Sequence, residues 1–355
     1  MRLLPGLVEN ELLSSYLGRC AAMRGTSLYR FSKACSPDWP AWSRDLDRAC
    51  GDVVLNQIAI CTGVSAGRLR EATLEAVARP LQSRCRTGTG VTPFINAIGL
   101  RSCTARRLYG LQFCPACLSE SPVFLRDWRM SFVTVCEKHK TSLLDRCPHC
   151  SSPAIPGWRS SILVRCWACG AWLKNARPGG QADHMEFMLR AQGLLLKAVH
   201  ANPVEFSNLH VAGTEFIEGA VILLRVLKGH IRGPIQVEGW DGAPALGQRI
   251  EMLGVRERFT WFSFLGWLLA DWPDNFAKVA KEVSLTQVPF ESGTPLPRWL
   301  DVCVQALPPR RRARKCRWTS ALVNEVRRVE RLGRATYRSD RAEVLLSAAR
   351  SRRGS

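Results

Sequence analysis

The stretch that decides the fold runs from Cys114 to Cys169 and reads CPAC (114–117), CEKH (136–139), CPHC (147–150) and CWAC (166–169). Each pair sets two ligand-type residues three positions apart, the spacing at which one tight turn aims both side chains at a single ion. Read in sequence, Cys114, Cys117, Cys136 and His139 form one donor set, and Cys147, Cys150, Cys166 and Cys169 form a second. Both sets fill a tetrahedron with protein ligands, so two structural zinc ions are the expected cofactors. A catalytic zinc keeps one position open. The competing pairing interleaves the four motifs as in a cross-braced RING domain and would imply recruitment of a ubiquitin-conjugating enzyme. The link Lys140–Arg146, seven residues between His139 and Cys147, is longer than a RING uses and lets each set close on itself. Sequential fingers are therefore the preferred pairing, with His149 read as a residue inside a knuckle that is solvated or supports the ligands from outside, and not as a ligand.

Composition frames these fingers. The chain has 355 residues, is 46% hydrophobic and 23% charged, and carries a formal charge of +20. It can bury real cores, and its basic excess points to a polyanionic partner, most often nucleic acid. From Arg310 to the end, fifteen Lys and Arg face four acids, so this tail holds +11 of the total. Cys20, Cys35, Cys50, Cys61, Cys85, Cys103, Cys303 and Cys316 lack a secreted-domain rhythm and read as buried, reduced thiols. MRLLPGLVENELL meets proline and acids too early for a signal peptide, and the longest apolar run, near Trp261–Ala270, is half a membrane span. The expected location is a reducing compartment, the cytoplasm.

Residues 1–105 read as a helical domain. Glu9 and Glu11 precede Leu12, Leu13, Tyr16, Leu17 and Cys20, a helical stripe with acids in its first turn. A helix-turn-helix is expected at about 55–77, with Ile58 and Ala59 inside, Gly63 at the turn, Ser65 as a cap, and Leu69 and Leu74 on the inner face. Arg68 and Arg70 would then project outward as candidate nucleic-acid contacts. An ordinary helical hairpin has much the same sequence, and such modules also dock proteins. The finger region spans 106–177, with a short strand expected at Phe132–Val135.

Beyond Pro178-Gly179-Gly180 a second helical domain, 178–300, is expected, with helices at Met185–Ala201, Thr214–Gly229, Pro244–Val255 and Phe259–Val283. Phe259, Trp261, Phe262, Phe264, Trp267 and Trp272 read as a core stripe rather than a base-stacking platform. The last region, 301–355, is a basic tail, helical in part and disordered in part. Its Arg310, Arg311, Arg312, Arg314, Lys315 and Arg317 beside Trp318 suit phosphate contacts, against the bland reading of a solvated tail.

Several stretches together resemble the TniQ family of transposition proteins: Phe113–Leu118, Trp128-Arg129, Cys136–His139, Leu143–Cys150 and Cys166–Gly170, joined by Leu4-Pro5 and Glu11–Leu17. The resemblance covers roughly residues 1–175. It implies a non-enzymatic selector of the target site, linking target DNA or a CRISPR effector–guide RNA complex to an AAA+ ATPase that recruits the transposase. It also implies a homodimer, and it carries the eight metal ligands over position by position. The alternative is a zinc-containing helix-turn-helix transcriptional regulator. The expected fold is mainly α: an N-terminal helical domain with a helix-turn-helix, central tandem zinc fingers of small β content, and a C-terminal helical domain with a basic tail. Neither a compact acidic cluster for a divalent metal nor a GxxxxGK[ST] loop marks an enzyme of nucleic acid.

Overall fold

Leu12, Leu13, Tyr16, Leu17 and Cys20 are all buried along α1 (Leu13–Met23), so the helical stripe read from the sequence is the inner face of the first helix. The computed structural model describes residues 4–39, 45–48, 50–82, 92–96, 98, 110–154, 164–177, 183–200, 202–242, 249–291 and 295–309. The chain continues through α2 (Leu28–Cys35), α3 (Asp52–Thr62), α4 (Ala66–Glu71), α5 (Glu75–Gln82) and α6 (Pro115–Glu120). A short hairpin follows, β1 (Val135–Cys136) against β2 (Thr141–Ser142), then α7 (Met185–Val199). Two more hairpins alternate with helices: β3 (Val204–Phe206) with β4 (Leu209–Val211), α8 (Gly213–His230), and β5 (Ile235–Val237) with β6 (Trp240–Gly242). The described chain ends with α9 (Val255–Ala270), α10 (Asp274–Glu282) and α11 (Arg298–Gln305). The fold is mainly α, and every described sheet is a two-stranded antiparallel hairpin.

Several local expectations are corrected. Glu11 is not a first-turn acid of α1, which has none. It is buried before the helix, where Val8 N, Ser15 Oγ and the Arg19 guanidinium all donate to its carboxylate. The expected helix across Pro244–Val255 is absent from its described part, where Ile250–Met252 form a single 3-10 turn before α9. The expected run Phe259–Val283 is two helices, because Pro273 lacks the N–H a continuing helix needs. The strand expected at Phe132–Val135 is confined to its end, at Val135–Cys136. Of the thiols expected to be buried, Cys20, Cys35 and Cys50 are, whereas Cys61 is exposed and Cys303 half-buried; Cys85, Cys103 and Cys316 lie outside the described residues.

The chain up to Pro308 forms one compact unit. Phe94, Phe132 and Phe262 meet edge to face with centroids 5.7–6.1 Å apart, which joins the N-terminal region, the finger region and α9 in one core. Polar clamps cross the same seams. Asp145 Oδ2 accepts from Val255 N at 3.0 Å at the start of α9, and the buried Arg258 donates to Ser131 O at 3.1 Å. The six aromatic residues of the stripe at 259–272 are buried. Gly266 lets α9 approach α7 closely, since a Cβ there would stand 1.9 Å from Phe187 O. Among the described residues no helix is long and apolar enough to cross a membrane.

Candidate metal centres

Four copies of one turn build the two donor sets. In each, the N–H of the residue just after the second ligand donates to the carbonyl of the first: Leu118 to Cys114 at 3.0 Å, Lys140 to Cys136 at 2.8 Å, Ser151 to Cys147 at 2.9 Å and Gly170 to Cys166 at 2.9 Å. The first turn opens α6, with Pro115 at its first position, where a missing N–H costs nothing. The other three reverse the chain into hairpins: β1–β2, the bridge Arg146–Pro153 and the bridge Arg165–Trp172. Their closing residues Lys140, Ser151 and Gly170 take φ of 51°, 58° and 72°. Only the glycine adopts that left-handed conformation without steric cost.

The turns bring Cys114, Cys117, Cys136 and His139 into one cluster and Cys147, Cys150, Cys166 and Cys169 into another, each with all four donor atoms within 4.8 Å of one another. The pairing is therefore sequential. A zinc tetrahedron with bonds of about 2.3 Å to sulfur and 2.0–2.1 Å to nitrogen has S···S edges of about 3.8 Å and S···N edges of about 3.6 Å. Here Cys117 Sγ lies 3.5 Å from Cys136 Sγ, and His139 Nδ1 lies 3.5, 3.3 and 3.5 Å from the sulfurs of Cys114, Cys117 and Cys136. In the second set Cys147–Cys169 is 3.7 Å and Cys150–Cys166 is 3.5 Å. These separations match tetrahedral edges and are far beyond the about 2.05 Å of a disulfide. Soft thiolates with one imidazole in a tetrahedral set suit zinc. Both centres can hold a metal ion, with no ligand position left for a substrate.

Electrostatics favour the ionised ligands unevenly. The hydrogen bond with Cys136 pulls the Cys114 thiol down to about 5, and Ser152 pulls Cys150 down to about 6. Burial pushes Cys117 up to about 11 and Cys166 up to about 12. One acidic thiol per set gives an incoming cation a first anchor, and the remaining protons leave as it binds.

Around the ligands stand residues that sequence reading missed. Glu120 Oε1 lies 3.1 Å from His139 Nε2, so the ring is fixed with Nδ1 facing the sulfurs, and Lys138 pairs with the same carboxylate. Gln192 on α7 is fully buried: its Oε1 accepts from Thr134 N and Val135 N at 3.2 and 3.3 Å, and its Nε2 donates to Val135 O at 3.0 Å. Arg129, also fully buried, pairs with Asp45 at 2.5 Å and Asp47 at 3.4 Å and donates to Asn96 O. Burial pushes the Asp47 carboxyl up to about 6 against the pull of Arg129. The finger region is thus anchored on both flanks by polar side chains from the helical parts. No sequence spacing signals them, because each partner is remote in the chain.

The candidate nucleic-acid residues fall in three places. Gly63 is left-handed at φ 76° between α3 and α4, and Ser65 Oγ accepts from Arg68 N, as the helix-turn-helix reading expects. Leu55, Ile58 and Leu69 are buried, yet α4 has only six residues. Arg68 is exposed. Arg70 is engaged inside the module, paired with Asp52 and, at 3.1 Å, with Glu75. Arg310, Arg311, Arg312, Arg314, Lys315 and Arg317 lie outside the described residues. His149 is exposed in the third knuckle and takes no part in either donor set.

Residues 2–143 match the family model TniQ, so the match takes in the N-terminal helices and the whole first metal centre. No curated protein is significantly similar to the chain.

Proposed function

We propose that this chain, which belongs to the TniQ family and so to the proteins associated with transposition, acts as a non-enzymatic adaptor in target-site selection. In this reading it links a target to an AAA+ ATPase regulator, which in turn recruits the transposase. The target is duplex DNA or a CRISPR effector with its guide RNA, and the protein works as a homodimer in the bacterial cytoplasm. The family match carries the reading. The geometry supports it: two closed donor sets, filled with zinc, stabilise a scaffold and offer no open coordination position for hydrolysis. Metal binding in small zinc modules contributes roughly 10–16 kcal/mol of apparent folding free energy, enough to fix the surfaces an adaptor presents.

The basic tail from Arg310 and the exposed Arg68 are the proposed contacts to target DNA, nonspecific and salt-dependent. The capped turn between α3 and α4 favours one second reading, a zinc-containing transcriptional regulator that reads DNA with this module. Co-purification with the AAA+ ATPase of a TniQ-bearing transposon, with ATP and with or without duplex DNA, separates the two. The adaptor captures the ATPase, and Cys147→Ser with Cys150→Ser abolishes capture. Tight binding to one DNA sequence with no ATPase association under any condition would establish the regulator instead.

A further inference from the structure

The second metal module has a charge pattern that the adaptor reading does not use. From Arg146 to Arg177 the sequence contains Arg146, Arg159, Arg165, Lys174 and Arg177 and not one Asp or Glu. The first module, Cys114 to Lys140, mixes four Lys and Arg with three acids. Even with a formal charge of −2 on a zinc ion held by four thiolates, the second module keeps a net +3. Arg159 lies outside the described residues, and Arg165, Lys174 and Arg177 are all exposed.

Two of the described cations are arranged around one aromatic ring. The Arg165 guanidinium lies 3.9 Å from the centroid of Trp172, its strand partner across the knuckle hairpin, and also donates to Gly170 O. Lys174 Nζ approaches the same ring at 5.2 Å. Trp167, at the tip of this hairpin, is 51% exposed. Its Nε1 donates to Pro153 O at 3.1 Å in the neighbouring knuckle, which fixes the orientation of a ring otherwise open to solvent. A rigid exposed indole beside preorganised cations, in a stretch of sequence without an acid, is the pattern by which proteins hold single-stranded nucleic acid. The cations follow phosphates, and a base stacks on the aromatic face. Arg177 also lines a cavity with Asp145, Asp183, Asp241 and Glu257.

We infer that the second metal module is a contact surface for a single-stranded nucleic-acid segment, with phosphates on Arg165, Lys174 and Arg177 and an unpaired base on Trp167. An acidic protein surface would meet the charges but would leave the indole without a planar partner. RNA and DNA strands offer the same phosphates and bases, so this surface accepts either. The inference stands apart from the ATPase link, and neither depends on the other.

The test uses the full-length, zinc-loaded protein and fluorescence anisotropy with labelled 20-nucleotide DNA and RNA oligomers and the matching duplex, across a salt series. Lys174→Glu with Arg177→Glu removes two phosphate contacts, and the slope of log affinity against log salt for single strands is expected to shrink by about 1.4. Trp167→Ala is expected to weaken single-strand binding roughly five-fold or more, since stacking is worth about 1–3 kcal/mol per base, and to leave duplex binding unchanged. Metal content and thermal midpoint matching the wild type establish that each variant is folded. If Trp167→Ala fails that check, Trp167→Phe replaces it and is expected to retain most of the binding. The tighter of the RNA and DNA oligomers identifies the source of the strand. An unchanged slope in the folded double variant would overturn the inference and leave the patch to an acidic protein surface. Equal losses for single strand and duplex in the Trp167 variant would overturn the stacking role.

Discussion

Replacing Gln192 with leucine should loosen the first metal module without touching a ligand. The side chain is fully buried on α7 and satisfies three backbone groups of the strand entering the Cys136 knuckle: Thr134 N, Val135 N and Val135 O. Leucine fills nearly the same volume and strands all three. Each unsatisfied buried group costs about 1–3 kcal/mol, so the three cost about 3–9 kcal/mol, and the added apolar burial returns roughly 1–2 kcal/mol, for a net loss of about 1–8 kcal/mol. That is a large share of the about 5–15 kcal/mol that holds a typical domain folded. Peptide-resolved hydrogen exchange of the zinc-loaded protein reads the effect locally. Amides of the segment around Thr134 and Val135 should exchange roughly five-fold faster or more, because 1.4 kcal/mol is a factor of ten. Arg190→Ala, on the exposed side of the same helix, should stay within about 0.5 kcal/mol of the wild type. Protection unchanged in Gln192→Leu would refute the claim that α7 clamps the finger through this amide.

Other outcomes follow from the same geometry. Glu120→Gln leaves the four ligands of the first centre in place but loses the carboxylate on His139 Nε2, and chelator competition should show zinc held about 10–100-fold less tightly there. Gly170→Ala forces a Cβ into the left-handed turn at φ 72° and should cost about 1–2 kcal/mol in chemical denaturation, whereas Lys140→Gly and Ser151→Gly should not destabilise their turns by that route. Acidification should release the metal. The Cys114 and Cys150 thiols, held down to about 5 and about 6, are thiolates above those values and regain protons as the pH falls through them. Protons compete with the ion for every ligand, so zinc occupancy followed by a colorimetric chelator should fall as the pH drops and be restored on neutralisation.

The donor sets were legible because metal geometry acts locally: two ligands three residues apart must share one turn, and four such turns repeat within 56 residues. The inner face of α1 was legible for a similar reason, since helical period and burial coincide at Leu13, Tyr16, Leu17 and Cys20. What was hidden depends on partners distant in the chain. Arg129 meets Asp45 from 84 positions away and Gln192 meets Val135 from 57, and no periodicity encodes such pairs. The hairpins β3–β4 and β5–β6 were hidden in another way. Their strands are only three residues long, too short for alternation to stand out between helices, and the turns rest on Ser207-Asn208 and on Gly239 at positive φ. Arg70 shows the opposite hazard. Its place on a helix face suggests an outward contact, while Asp52, 18 positions earlier, occupies the guanidinium.

The most direct test of the account is metal analysis by native mass spectrometry on protein purified without added metal, for the wild type and two paired variants. Two zinc ions per chain are expected in the wild type, and one in either Cys117→Ser with Cys136→Ser or Cys150→Ser with Cys166→Ser. No bound metal in the wild type, or loss of both ions from either pair with the fold retained, would contradict two independent closed centres.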